Sequence, residues 1–287
     1  IINDTQPEAA GARGRLLAFV RAQSLWNRYK LDPAGRMKLM LRYNLPLDWR
    51  HVMPHSLYWV TYGLHVVDDV SLMNIDSLNT ERIVLNSLKS LTWTGQMVFL
   101  DNPRQRNAPQ LSWASDWRYI EATQQEYLAV IKKIEEDRGE KFEENIVKDG
   151  HMNYLVAAMA MYYAGDRRGQ AHRLFEDTKD KYQPPGPEWK LELEDFLVYR
   201  ITRDRGIIRD FADAQITASL IAAFENPARR NRDGYARCYT YARRIHTRYQ
   251  KDSPSRQDVA PFDSYVSFYL ANMLARPALH HARLSLL

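Results

Sequence analysis

The stretch from Asn153 to Gln183, NYLVAAMAMYYAGDRRGQAHRLFEDTKDKYQ, leaves this chain little freedom in what it can fold into. An Ala-rich apolar run, a break at Gly165-Asp166 and an amphipathic run ending at Tyr182 specify a helical hairpin. Ala157 and Ala158 are small enough to let two helices approach closely, and the larger residues give each helix something to bury. Such a pair cannot cover its own apolar face, so further helices must stack against it.

The rest of the chain supplies them. Only 12 Gly and 13 Pro in 287 residues, and no alternating Val/Ile/Thr runs, favour helix throughout, and 45% hydrophobic residues suffice for a core. Residues 1–14 read as a mobile leader. A first helix follows over Arg15–Tyr29, with Leu16, Phe19, Val20, Ala22, Gln23 and Trp26 on one face and Arg21 and Arg28 outside it. Asp32-Pro33 is a helix start, the Asp oxygen capping free N–H groups and Pro standing where no N–H is needed. Met37, Met40, Leu41 and Tyr43 form the face of that second helix, which Pro46 ends. Leu45 to His55, with two prolines and a Trp, reads as a heavy loop, and Ser56–Asp68 as a helix. One long helix is expected over Asp76–Leu100, with a soft point at Gly95. An exposed loop is expected at residues 101–110, and one or two helices from Trp113 to Glu136. Gln183-Pro-Pro-Gly-Pro is a firm stop. Helices then resume over Glu188–Arg203, Ile207–Phe224, Gly234–Gln250 and Pro261–Leu274. In the first of these Trp189, Leu193, Phe196, Leu197 and Ile201 are the buried set.

Tyr182 and Tyr249 lie 67 positions apart (249 minus 182), and the same offset pairs Ala171 with Cys238. That spacing is about twice the 34-residue period of the tetratricopeptide repeat. The hairpin resembles a unit of that family. Ala157 and Ala158 stand where its first helix packs closely, Gly165-Asp166 resembles its inter-helix turn, and Ala171, Phe175 and Pro184 resemble its small, large and terminal positions. Ser56–Asp68, with Tyr58, Trp59 and Gly63, resembles a first helix of another unit. The resemblance implies an all-α fold, an irregular α-solenoid of stacked antiparallel helix pairs, whose surfaces bind peptide segments or other subunits. The expected organisation is a leader (1–14), an N-terminal helical subdomain (15–150) and a C-terminal tetratricopeptide-like subdomain (151–287), the last two also readable as one array.

Chemistry-bearing residues are sparse. His51 and His55 have the i, i+4 spacing of metal ligands, but Pro54 lies between them and no H-E-x-x-H is present. Asp68-Asp69 and Asp76 lack the tighter pattern and second cluster of a magnesium site. Glu192, Glu194 and Asp195 read as an exposed helix face, and Cys238 as a buried structural thiol. No phosphate-binding, dinucleotide-binding or nucleophile-elbow motif occurs. One cysteine excludes an internal disulfide. The +5 charge comes from 40 basic and 35 acidic residues spread along the chain, so no nucleic-acid partner is expected.

The aromatic load is the more informative signal. With seven Trp and 17 Tyr, Trp49, Arg50, His55, Tyr58 and Trp59 gather in one short segment, in residue types that dominate protein interfaces. Arg237, Tyr241, Arg244 and Arg248 form a second basic-aromatic face. The expectation is a non-catalytic scaffold or accessory subunit, without cofactor or metal, that binds other protein subunits through Trp49, Arg50, His55, Tyr58, Trp59, Arg237, Tyr241 and Arg244. The alternative is a helical metal-dependent enzyme with a cleft near His51, His55 and Asp68. An RNA-binding helical repeat ranks last. No run approaches the roughly 20 apolar residues of a membrane span. Cytoplasm and periplasm both remain open, as does a tether upstream of Ile1.

Overall fold

The computed structural model describes residues 7–70, 77–100, 110–137, 141–203, 209–227, 230–252 and 260–275. Among them are eleven α-helices and one two-stranded ribbon. They divide into two compact units, Ile1–Val98 with Trp113–Asp137, and Phe99–Ser112 with Arg138–Leu287.

The first unit holds α1 (Pro7–Tyr29), α2 (Pro33–Tyr43), α3 (Val52–Val70), α4 (Ser77–Thr94) and α5 (Tyr119–Asp137), with α3 against α4 and α4 against α5. α1 starts at Pro7, inside the segment read as leader. The start of α2 is as its sequence specifies: Asp32 Oδ2 accepts the Gly35 N–H at 2.6 Å, with Pro33 in the first turn. Asn44, in the left-handed region at φ 51°, closes the helix by donating its N–H to the carbonyls of Leu41 and Met40. The face of α2 is the expected one only in part, for Tyr43 is in the core and Met40 packs against it. Leu39 and Tyr43 are buried, whereas Met37 and Leu41 are exposed. Leu39 and Tyr43 are one turn apart and join a core of Leu31, Leu47, Leu57, Val84, Leu88, Leu91 and Tyr119.

The helix expected over Asp76–Leu100 stops at Thr94. A Cβ at Gly95 would lie 2.3 Å from the Leu91 carbonyl oxygen and 2.9 Å from the Tyr119 ring. Only glycine fits there, and the chain leaves the helix as strand β1 (Gln96–Leu100), paired with β2 (Gln110–Ala114). Trp113 is therefore in a strand and Trp117 in the turn before α5, not on one helix as their i, i+4 spacing suggested. Asp116 organises that turn: its N–H donates to the Thr92 carbonyl at 2.9 Å and its carboxylate takes the Arg118 N–H and guanidinium. The loop expected at 101–110 lies, apart from Gln110, outside the described residues.

The second unit holds α6 (Lys141–Ala164), α7 (Arg168–Tyr182), a 3-10 turn (Pro187–Lys190), α8 (Leu193–Arg203), α9 (Arg209–Glu225), α10 (Arg232–Asp252) and α11 (Phe262–Ala275). Position 150, the expected subdomain boundary, falls inside α6. Neighbouring helices pack in pairs, α6 with α7 and α9 with α10, while α8 lies on α10 and α11 on α9. The expected core set Trp189, Leu193, Phe196, Leu197 and Ile201 is buried, and Trp189 stacks on Phe175 at 5.7 Å.

At the offset of 67, buried Ala171, Leu174, Phe175 and Thr178 of α7 fall on buried Cys238, Tyr241, Ala242 and Ile245 of α10. The turns correspond at a different offset. Arg167 donates its N–H to the Tyr162 carbonyl and Asn231 to that of Asn226, with Asp166 and Arg230 left-handed before them, 64 positions apart (226 minus 162). The slip of three residues is close to one helical turn, so the same face stays buried.

Candidate functional site

In the first unit the aromatic segment is set by the turn leading into α3. The Asp48 carboxylate accepts the Arg50 N–H at 3.1 Å and its guanidinium at 2.8 and 2.5 Å. These hydrogen bonds hold the Asp48 carboxyl below its ordinary range and raise Arg50. Arg50 thus fixes the turn. His51 caps α3: its Nδ1 accepts the Met53 N–H at 3.1 Å, which puts the proton on Nε2, facing Thr94 Oγ1 at 3.1 Å. Burial lowers its pKa. His55 Nε2 donates to the Trp49 carbonyl at 2.8 Å. Both histidines hold backbone in place, and among the described residues no group of three His, Cys, Asp or Glu is spaced to bind a metal. The Asp68 side chain lies outside the described residues.

The rings form a continuous series. Tyr29 meets His55 edge-on at 5.0 Å, His55 lies 6.1 Å from Trp49, Trp49 meets Tyr58 at 6.4 Å, Tyr58 meets Trp59 at 5.2 Å and Trp59 meets Tyr62 at 6.0 Å. The Arg36 guanidinium stands 5.7 Å over Trp49. Tyr58 anchors the series. It is buried, accepts the Asp32 N–H at 3.2 Å, and fills the space a Cβ at Gly35 would need. From that anchor the series runs outward to Trp59 and Tyr62, both exposed. Val52, Trp59, Tyr62 and Val66, between 39% and 66% exposed, fall within an arc of roughly 80° at 100° per residue, so they make one apolar seam along α3. Val52, Tyr62 and Val66 were not singled out in the sequence. Their signal was there, as apolar positions beyond the number one buried face of α3 can use.

The second basic-aromatic group is placed differently. Tyr241 is 1% exposed, packed edge-on against Tyr163 at 4.7 Å, and burial pushes its hydroxyl far above the usual range. Arg244 donates to Glu194 Oε1 at 2.8 Å and to Asp195. Arg237 donates to both Asp166 oxygens. Glu194 also accepts the Tyr163 hydroxyl at 2.6 Å, and Arg168 donates to that hydroxyl at 2.8 Å. So Glu194 and Asp195 are not a free acidic face, nor Arg237 and Arg244 a free basic one; each neutralises the other where α7, α8 and α10 meet. Cys238 is buried beneath this network, its thiol pushed up to about 12 by burial and by Asp166. No family model, curated protein or solved structure matches this chain.

Proposed function

We propose that the protein is a non-catalytic scaffold or accessory subunit built from tetratricopeptide-like helix pairs, and that it binds another protein through the aromatic seam of α3. The observation that carries this reading is the seam itself. Large apolar side chains stand exposed along one line of a helix whose opposite face, Met53, Leu57, Val60 and Leu64, packs into the core. Exposed aromatics over a rigid, buried anchor are what protein interfaces use most, because such side chains bury much area for little lost freedom. The paired packing of α6 with α7 and α9 with α10, and the shared register of their buried positions, support an array of related helix pairs.

The test is affinity capture from native extract with the intact chain and with Trp59→Glu/Tyr62→Glu, read by mass spectrometry. One partner is expected at stoichiometric level with the intact chain, reduced at least about tenfold by the double substitution. Retention of the same partner by the variant, or stoichiometric tightly bound metal accompanied by turnover, would overturn it.

A further inference from the structure

We propose that α1 is a peripheral membrane helix that lies on the surface of an anionic lipid bilayer. This does not depend on the role given to α3.

Leu16, Phe19, Val20 and Trp26 are between 41% and 62% exposed. At 100° per residue they fall within an arc of roughly 120°. The arc points away from the first unit, which α1 meets through Leu25 at the core and Tyr29 at His55. Leaving four such residues in water on one face is costly for an isolated helix, so the face is one that something covers.

Charge indicates what covers it. From Ala9 to Leu31 there are five basic residues, Arg13, Arg15, Arg21, Arg28 and Lys30, and no acidic one. On the same wheel Arg13 and Arg15 border the apolar arc, one on each side, and Arg21 and Arg28 lie further round. Arg13, Arg15 and Arg21 have no carboxylate partner among the described residues. An apolar arc edged by guanidinium groups, with an indole near its margin, matches the layered chemistry of an anionic bilayer surface: acyl chains below, phosphate and carboxylate at the level of the arginines.

The same face also carries Gln23 and Asn27, which satisfy each other in part through Asn27 Nδ2 donating to Gln23 Oε1 at 3.2 Å. On the wheel both fall within the arc, between Phe19 and Val20. A second copy of α1 would bring arginine against arginine. No helix among the described residues is long and apolar enough to cross a membrane, so the association is one of lying on the surface.

The 287-residue chain is co-sedimented with vesicles of phosphatidylcholine alone and of phosphatidylcholine mixed with phosphatidylserine. Binding is expected only to the mixed vesicles, weakening as salt is added. It should fall at least about tenfold in Phe19→Asp/Val20→Asp and in Arg13→Glu/Arg15→Glu. Trp59→Glu/Tyr62→Glu should leave it unchanged, which separates this proposal from the α3 reading. Circular dichroism confirms that each variant retains its helix. Absence of binding to the mixed vesicles, equal binding to both kinds, or binding indifferent to the α1 substitutions would overturn the proposal. So would self-association of the intact chain that Phe19→Asp/Val20→Asp abolishes, or capture of an acidic protein through this face without vesicle binding.

Discussion

At Glu194 a single carboxylate receives the Tyr163 hydroxyl on one oxygen and Arg244 on the other, with the Arg168 guanidinium 3.6 Å away. Directly beneath, the Tyr241 hydroxyl is buried and has no hydrogen-bond partner among the described residues. Two tyrosines 4.7 Å apart therefore hold opposite positions in energy. Tyr163→Phe removes a donor from Glu194 and an acceptor from Arg168, and should lower stability by about 1–3 kcal/mol. Tyr241→Phe removes only an unsatisfied polar atom and should raise stability by about 1 kcal/mol or leave it unchanged. Urea unfolding of the two variants checks the difference in sign. The sequence could place Tyr241 on the same helix side as Arg237 and Arg244, but not say whether that side met water or carboxylates. Asp166, Glu194 and Asp195 reach it from elsewhere in the chain, and a helical wheel sees only its own helix.

At the scale of elements, helix starts and stops follow local chemistry wherever a capping residue or proline decides them. Asp32-Pro33 starts α2, the Gly165-Asp166 break separates α6 from α7, and the prolines after Gln183 hold α8 apart from α7. Errors arose where only periodicity was available. The run through Leu85, Leu88, Leu91 and Val98 continues past Thr94 in helical rhythm, yet the close approach of Tyr119 and the Leu91 carbonyl makes Gly95 the end. Gly95→Ala should cost about 1–3 kcal/mol, as overpacking against backbone does, because the nearest atom belongs to the α4 main chain and cannot rotate away. Thermal unfolding monitored at 222 nm is the check, and a midpoint equal to that of the parent chain would contradict the assignment. The exposure of Met37 and Leu41 on α2 has a similar origin. Met37 and Leu41 are as apolar as Leu39 and Tyr43, and only the neighbours Leu57, Leu88 and Tyr119 choose between the two sides.

At the scale of the whole molecule, each unit carries a histidine whose burial opposes its charge. His151 on α6 is enclosed in the second unit, with Nδ1 2.5 Å from the Tyr182 hydroxyl. Burial, helped by Lys181, lowers its pKa from 6.5 to about 4. The unfolded chain therefore binds this proton more readily than the fold does. The stabilisation is complete above about pH 6.5 and is lost as pH falls towards about 4, amounting to roughly 3 kcal/mol across that window. His51 acts in the same direction in the first unit. His151→Gln keeps a partner for Tyr182 without the titration, and should flatten the stability curve between about pH 4 and 6.5 relative to the parent chain. Equal slopes in the two proteins would show that His151 is already charged in the fold.

Local sequence was enough to show that the chain is helical, where most of its helices lie, that Trp189 to Ile201 is core, and that Cys238 is a buried thiol. Those properties come from interactions within about one or two turns: caps, propensities, and a 3.6-residue rhythm strong enough to mark a face. The gathering of Trp49, His55, Tyr58 and Trp59 was also legible, because these four rings come from one eleven-residue stretch. Three-dimensional packing set which apolar side of α2 is inside and that α4 ends before Gly95. It alone decided that Arg237 and Arg244 of α10 answer acidic residues of other segments, and that α1 and α3 keep apolar faces in water. Each of those outcomes depends on what another part of the chain brings to the same place. Burial and charge pairing are properties of such pairs of segments, and a single stretch of sequence contains only one of the two.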